Sequence, residues 1–135
     1  MKLNKTRGAG LAAGIAALAV IAACHPHKTP QATTQDVEAA KQEAQRAVEQ
    51  ARAEASKDVK SAAKTGGGNP RDIAQAKATA AYDIAMTKAE GDHNVAVEKC
   101  QTLQTSMMQA CKDQADAEYE TAKATAKATR MAGRQ

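Results

Sequence analysis

From Val37 to Ala62 the small and apolar residues keep a fixed spacing: Val37, Ala40, Ala44, Val48, Ala51, Ala55, Val59 and Ala62. The steps run three, four, four, three, four, four, three, so the stripe repeats every 11 residues. At 3.67 residues per turn such a stripe stays nearly straight along a helix, or drifts slightly right-handed, where a heptad would wind left. Lys41, Glu43, Arg46, Glu49, Arg52 and Lys60 fall on the other side, as a solvated surface. The pattern predicts an amphipathic helix over 36–65, starting near Thr34, with Asp36 and Glu38 placed favourably against the helix dipole. Thr65-Gly66-Gly67-Gly68 ends it, because consecutive glycines supply flexible and left-handed backbone, and 66–69 forms a hinge.

Helix signals resume at once. Asn69 is placed to cap, Pro70 to occupy the first helical position, and Asp72 to add an acid to the first turn. The 11-residue beat returns as Ile73, Ala76, Ala80 and Ile84, then weakens through Thr87 and Gly91 to Val95. Gly91-Asp92-His93-Asn94 predicts a kink or short break, with His93 structural or facing solvent. Cys100 and Cys111 set the next constraint. Eleven residues of unbroken helix would hold them about 16 Å apart, whereas a disulfide needs Cα atoms within about 7 Å. If the chain is exported these two cysteines should oxidise, and then either the helix turns between them or they pair with cysteines of another copy. Gln104-Thr105-Ser106 offers the turn, with Ser106 and Gln109 as a capping box for a helix from Met107. On that reading 70–135 is a helical hairpin stapled by Cys100–Cys111. The spacing does not suit zinc.

The N-terminal end carries the address. Leu11 to Ala23 is apolar, follows Lys2, Lys5 and Arg7, and is too short to span a bilayer, which takes about 20 apolar residues. Residues 1–23 are therefore expected to be a signal peptide. Ile21-Ala22-Ala23-Cys24 resembles the lipobox of bacterial lipoproteins: a branched aliphatic, two small residues and a cysteine. The resemblance implies that Cys24 is joined to diacylglycerol by a thioether, the peptide cut before it and the new amine acylated. His25 rather than Asp after that cysteine implies, by resemblance to lipoproteins of enteric bacteria, anchoring in the outer membrane facing the periplasm. Residues 24–35, with Pro26 and Pro30, read as a flexible tether. His25 and His27 beside Cys24 suggest a metal, but a thioether supplies no thiolate and two exposed imidazoles make a weak site. No metal, cofactor or catalytic residue is expected.

Composition narrows the fold and the function. The chain has 19 Lys and Arg against 15 Asp and Glu; loss of Lys2, Lys5 and Arg7 with the signal leaves 16 against 15. A charge near zero gives no counterion-release drive towards nucleic acid, and Tyr82 and Tyr119 stand alone as aromatics. From Cys24 onward there is one leucine, Leu103, with no Phe or Trp, and alanine makes up nearly a quarter. Alanine is the best helix former and buries little area. The expected fold is all-α: long alanine-rich helices, thinly packed, with no deep pocket for a small-molecule substrate.

Three resemblances bear on function. The run from His93 to Ala128, with VAVEKC, a second cysteine at Cys111 and a following Tyr and Ala/Lys stretch, is similar to small exported Ala/Lys-rich proteobacterial proteins of unassigned function. The lipidated cysteine and long alanine-rich helix resemble the murein lipoprotein, whose heptads and C-terminal wall-linked lysine this chain lacks. The 11-residue repeat and Ala/Lys/Glu/Thr content resemble the group 3 late embryogenesis abundant proteins, which implies protection under osmotic or drying stress. The leading expectation is a non-enzymatic, lipid-anchored envelope protein with a structural or protein-interaction role, meeting the membrane through its anchor and a helical partner or a second copy of itself through its stripe. The stress protectant is the alternative.

Overall fold

The computed structural model describes residues 30–65 and 67–133, which form three helices: α1 (Pro30–Thr65), α2 (Pro70–Cys100) and α3 (Thr105–Ala132). No strand occurs among the described residues, and the fold is all-α as the pattern predicts. No described helix is long and apolar enough to cross a membrane.

The first reversal agrees closely with the sequence signals. α1 ends at Thr65, and Gly67 and Gly68 take left-handed backbone with φ of 61° and 76°. Asn69 Oδ1 then accepts the Arg71 amide at 3.1 Å, and Pro70 fills the first helical position of α2. Three other boundaries differ from expectation. α1 starts at Pro30, so its first turn and a half takes in residues assigned to the 24–35 tether. Proline's fixed φ and missing N–H suit a helix start, and no residue from Gln31 to Gln35 is a helix breaker. Gly91-Asp92-His93-Asn94 makes no break; α2 runs unbroken through it. The second turn lies at Gln101–Gln104, with Leu103 N–H donating to Cys100 O and Thr102 N–H to Lys99 O. α3 begins at Thr105, so Ser106 is already inside the first turn and the Ser106–Gln109 capping box does not form; Gln109 Nε2 donates instead to Asp113 Oδ1 at 2.8 Å.

The helices lie side by side in an open layer. α2 is central, α1 and α3 run antiparallel to it on either side, and α1 and α3 do not meet. The reason is visible along α2, which carries two stripes. Ile73, Ala76, Ala80, Ile84, Thr87, Gly91 and Val95 form the stripe towards α1; Ala78, Tyr82, Ala85, Ala89, His93, Ala96 and Cys100 form the one towards α3. Gly91 and Ala89 are two positions apart, about 200° around the helix, so the stripes are opposed. Both repeat every 11 residues, and so does the partner stripe of α3, Cys111–Ala122–Gly133 and Ala115–Ala126. Stripes of equal 11-residue period mesh along a helix pair with at most a slight right-handed supercoil.

α1 packs along α2 rather than standing apart beyond the hinge. A Cβ added at Gly91 would sit 2.6 Å from Ala44 Cβ, so the two backbones approach as closely as glycine allows. With that contact as the register, Val37–Ala62 of α1 lies level with the Ile73–Val95 stripe of α2. The residues that weakened the beat, Thr87 and Gly91, sit in this seam. The core is correspondingly thin. Buried side chains are those of Thr33, Ala55, Ala89, Cys100, Ala115 and Ala126, and among these only Cys100 is almost fully enclosed.

Candidate functional site

The strongest local construction is the closed end of the α2–α3 hairpin. Cys100 and Cys111 are joined by a disulfide, with Cα atoms 5.6 Å apart, so the turn between the cysteines is real and the bridge lies within one chain. Cys100 is 1 % exposed and Cys111 half-buried. The bond closes a short loop and contributes about 3 kcal/mol by chain entropy, a large share for a core of alanines.

One turn and more along the same seam stands a polar cluster that the sequence did not announce. His93 Nε2 lies 2.7 Å from Asp116 Oδ1, and the His93 ring stacks on Tyr119 with centroids 4.9 Å apart. Lys123 Nζ stands 4.8 Å from the centre of the same tyrosine ring and bonds Glu120 at 2.6 Å. The hydrogen bond to Glu120, opposed by partial desolvation and helped by the charge of Glu120, holds the Lys123 pKa above the ordinary lysine value. Farther along, the Arg130 guanidinium covers Tyr82, also at 4.8 Å. Each tyrosine of the seam is therefore held between its helix pair and a cation, worth about 0.5–1 kcal/mol where exposed. The available sequence signal is the spacing of Asp116, Tyr119 and Lys123, three and then four residues apart, on one face of α3.

His93 lies structurally placed between two helices, as one of its two expected roles. Beside it Ala89, Asp92, Ala96, Ala115, Glu118, Tyr119 and Ala122 line a shallow groove of about 140 Å³. That lining contains no serine, threonine or cysteine to act as a nucleophile. Among the described residues no three His, Cys, Asp or Glu side chains converge to hold a metal ion. Cys24, His25 and His27 lie outside the described residues, so the lipidation and metal readings of that segment rest on sequence.

The 11-residue period also sorts charge. Lys77, Lys88 and Lys99 recur on one broad face of α2, and Asp72, Asp83 and Glu90 on the other, about half a turn away. Lys88, paired with Asp92, lies beside Val48 and Arg52 of α1, whereas Glu90 shares the opposite groove with Glu43. The grooves on the two surfaces of the layer are both shallow. No protein-family model matches the chain, and no curated protein or solved structure matches it.

Proposed function

We propose that this chain is a lipid-anchored envelope protein, held in the outer membrane through Cys24, facing the periplasm, and acting as a structural or protein-interaction element rather than an enzyme. The observation that carries the reading is Ile21-Ala22-Ala23-Cys24 at the end of the apolar run that begins after Lys2, Lys5 and Arg7. Two structural features support it. The disulfide belongs with an oxidising compartment. The thin layer offers long surfaces and shallow grooves, which suit contact with other macromolecules better than enclosure of a small substrate. The meshed stripes favour a folded element over a protectant that orders only on drying.

The test is Cys24→Ser in cells fed a radiolabelled fatty acid. The expected result is loss of label and accumulation of the unprocessed precursor. Normal cleavage and release of the variant into the soluble periplasm would show a conventional signal peptide and remove the anchor.

A further inference from the structure

We infer that the α2–α3 turn is a membrane-contacting tip, on which the protein stands at the surface that holds its lipid anchor; this rests on the reading of Cys24 as acylated. The topology supplies the first argument. Measured from the Ala44–Gly91 contact, α1 extends 14 residues back to Pro30 and α2 extends 9 residues on to Cys100. At 1.5 Å per residue the start of α1 lies about 7 Å beyond Cys100, level with the turn. Six Cα steps separate Cys24 from Pro30, a reach of at most about 20 Å whatever their conformation. An acyl group on Cys24 therefore keeps this end of the molecule, rather than the Gly67–Asn69 end, within about 20 Å of the bilayer.

The second argument is the chemistry of the turn. Gln101 to Ala110 has no charged residue, and with the two bridged cysteines this is the longest uncharged run among the described residues. Leu103, the one leucine from Cys24 onward, is 38 % exposed there, and Met107 is 51 % exposed. Of the three exposed large apolar side chains among the described residues, two, Leu103 and Met107, stand together at this end, and Met131 stands alone at the other. Neutral polar side chains around an exposed leucine and methionine suit the headgroup boundary, where a run of lysines and aspartates would resist dehydration. Two such side chains bind a bilayer weakly on their own; beside an anchored acyl chain their entry is intramolecular, and the pair of signals acts together. The disulfide keeps the tip closed as it enters.

The absence of tryptophan from the chain gives a clean test. Met107→Trp and Met131→Trp, both at exposed positions, are made in the full acylated chain and reconstituted in phosphatidylethanolamine/phosphatidylglycerol vesicles with and without brominated acyl chains. The expected result is blue-shifted emission from position 107, reduced about twofold by the brominated lipid as for an interfacial side chain. Position 131, about 36 Å away along α3, should stay unshifted and unquenched. Equal behaviour at the two positions overturns the tip, and so does a blue shift at 107 without quenching, which would mean that protein covers it. Mass spectrometry of the Cys24 peptide from the same sample separates the two failures. Acylation with position 107 in water sinks the tip alone; an unmodified Cys24 sinks the anchor and the tip with it.

Discussion

Along α2, the seam with α1 and the seam with α3 share one spacing, opposite faces of one helix and the same antiparallel sense, yet they are held by different means. The α1 seam depends at its centre on proximity: Ala44 rests on the bare backbone of Gly91, and half-buried Val37, Val48 and Val59 of α1 with Ile73, Ile84 and Val95 of α2 supply the larger apolar surface. The α3 seam is fastened by Cys100–Cys111 at one end, His93–Asp116 and Tyr119 farther in, and Arg130 on Tyr82 towards the other end. The 11-residue period makes either seam straight, but straightness does not set strength. Alanine stripes need help, and it comes as close backbone approach on one side and as a covalent and polar fastening on the other.

The largest separation between the seams should come from removing the disulfide. Cys100→Ser with Cys111→Ser is expected to cost about 3 kcal/mol, read by urea unfolding monitored by circular dichroism. Amide hydrogen exchange should show α3 losing protection first while α1 and α2 keep theirs, because α1 does not touch α3. Uniform loss of protection in all three helices would show a single cooperative unit and erase the contrast. The unsubstituted protein should run as a monomer under non-reducing conditions; a covalent dimer would contradict the bridge within one chain.

The α1 seam is tested at its closest point. Gly91→Ala introduces a Cβ 2.6 Å from Ala44 Cβ and 3.2 Å from its Cα, and neither can swing away. The overpacking should cost about 1–3 kcal/mol, reduced by about 1 kcal/mol from alanine's better helix propensity, so a net loss near 1 kcal/mol confined to α1 and its seam is expected. Adding Ala44→Gly removes the closer of these contacts and leaves the one to Cα at 3.2 Å, so it should recover part of the loss. Gly133→Ala is the control: its Cβ would approach Ala78 Cβ to 2.7 Å, but Gly133 caps the end of α3 and can shift, so the effect should stay within about 0.5 kcal/mol. Should Gly91→Ala prove stabilising, the α1 seam is looser than the register implies.

Both substitutions probe features that differ in how legible they are in the sequence. The helix end at Thr65, the Asn69-Pro70 restart and the Cys100–Cys111 hairpin are all readable, because each depends on local backbone chemistry or on the reach of one covalent bond. Gly91 misleads for a physical reason. A glycine in a helical pattern signals either a break or a close neighbour, and only the neighbour, Ala44, distinguishes them. The second stripe of α2 is hidden by the first: with small residues on two opposite sides, no single face stands out, and Ala78, Ala85, Ala89 and Ala96 look like general alanine richness. Pro30 reads as part of a tether because the first turn of a helix needs no apolar residue. The His93 cluster escapes because its partners, Asp116 and Tyr119, come from another helix. The segment around Cys24 lies outside the described residues, and its reading rests on the sequence alone.

The smallest effect concerns that cluster, where two contributions can be pulled apart. The Asp116 side chain is 65 % exposed and that of His93 is 22 % exposed, so water screens the hydrogen bond between them, and such exposed contacts contribute about 0–1 kcal/mol. The stack on Tyr119 lies deeper in the seam and is worth about 0.5–1.5 kcal/mol beyond its area. His93→Phe keeps a ring against Tyr119 and deletes the bond to Asp116; His93→Ala deletes both. The expected order is therefore a loss below about 1 kcal/mol for phenylalanine and a distinctly larger one for alanine. Asp116→Asn made in the wild-type and His93→Phe backgrounds should give a coupling of a few tenths of a kcal/mol, in keeping with an exposed pair. If phenylalanine and alanine cost the same, the charge–polar contact rather than the ring fastens this part of the seam. The α3 seam would then be held by the disulfide and by electrostatics, and its stability should fall with added salt, whereas the alanine-on-glycine seam of α1 should not respond.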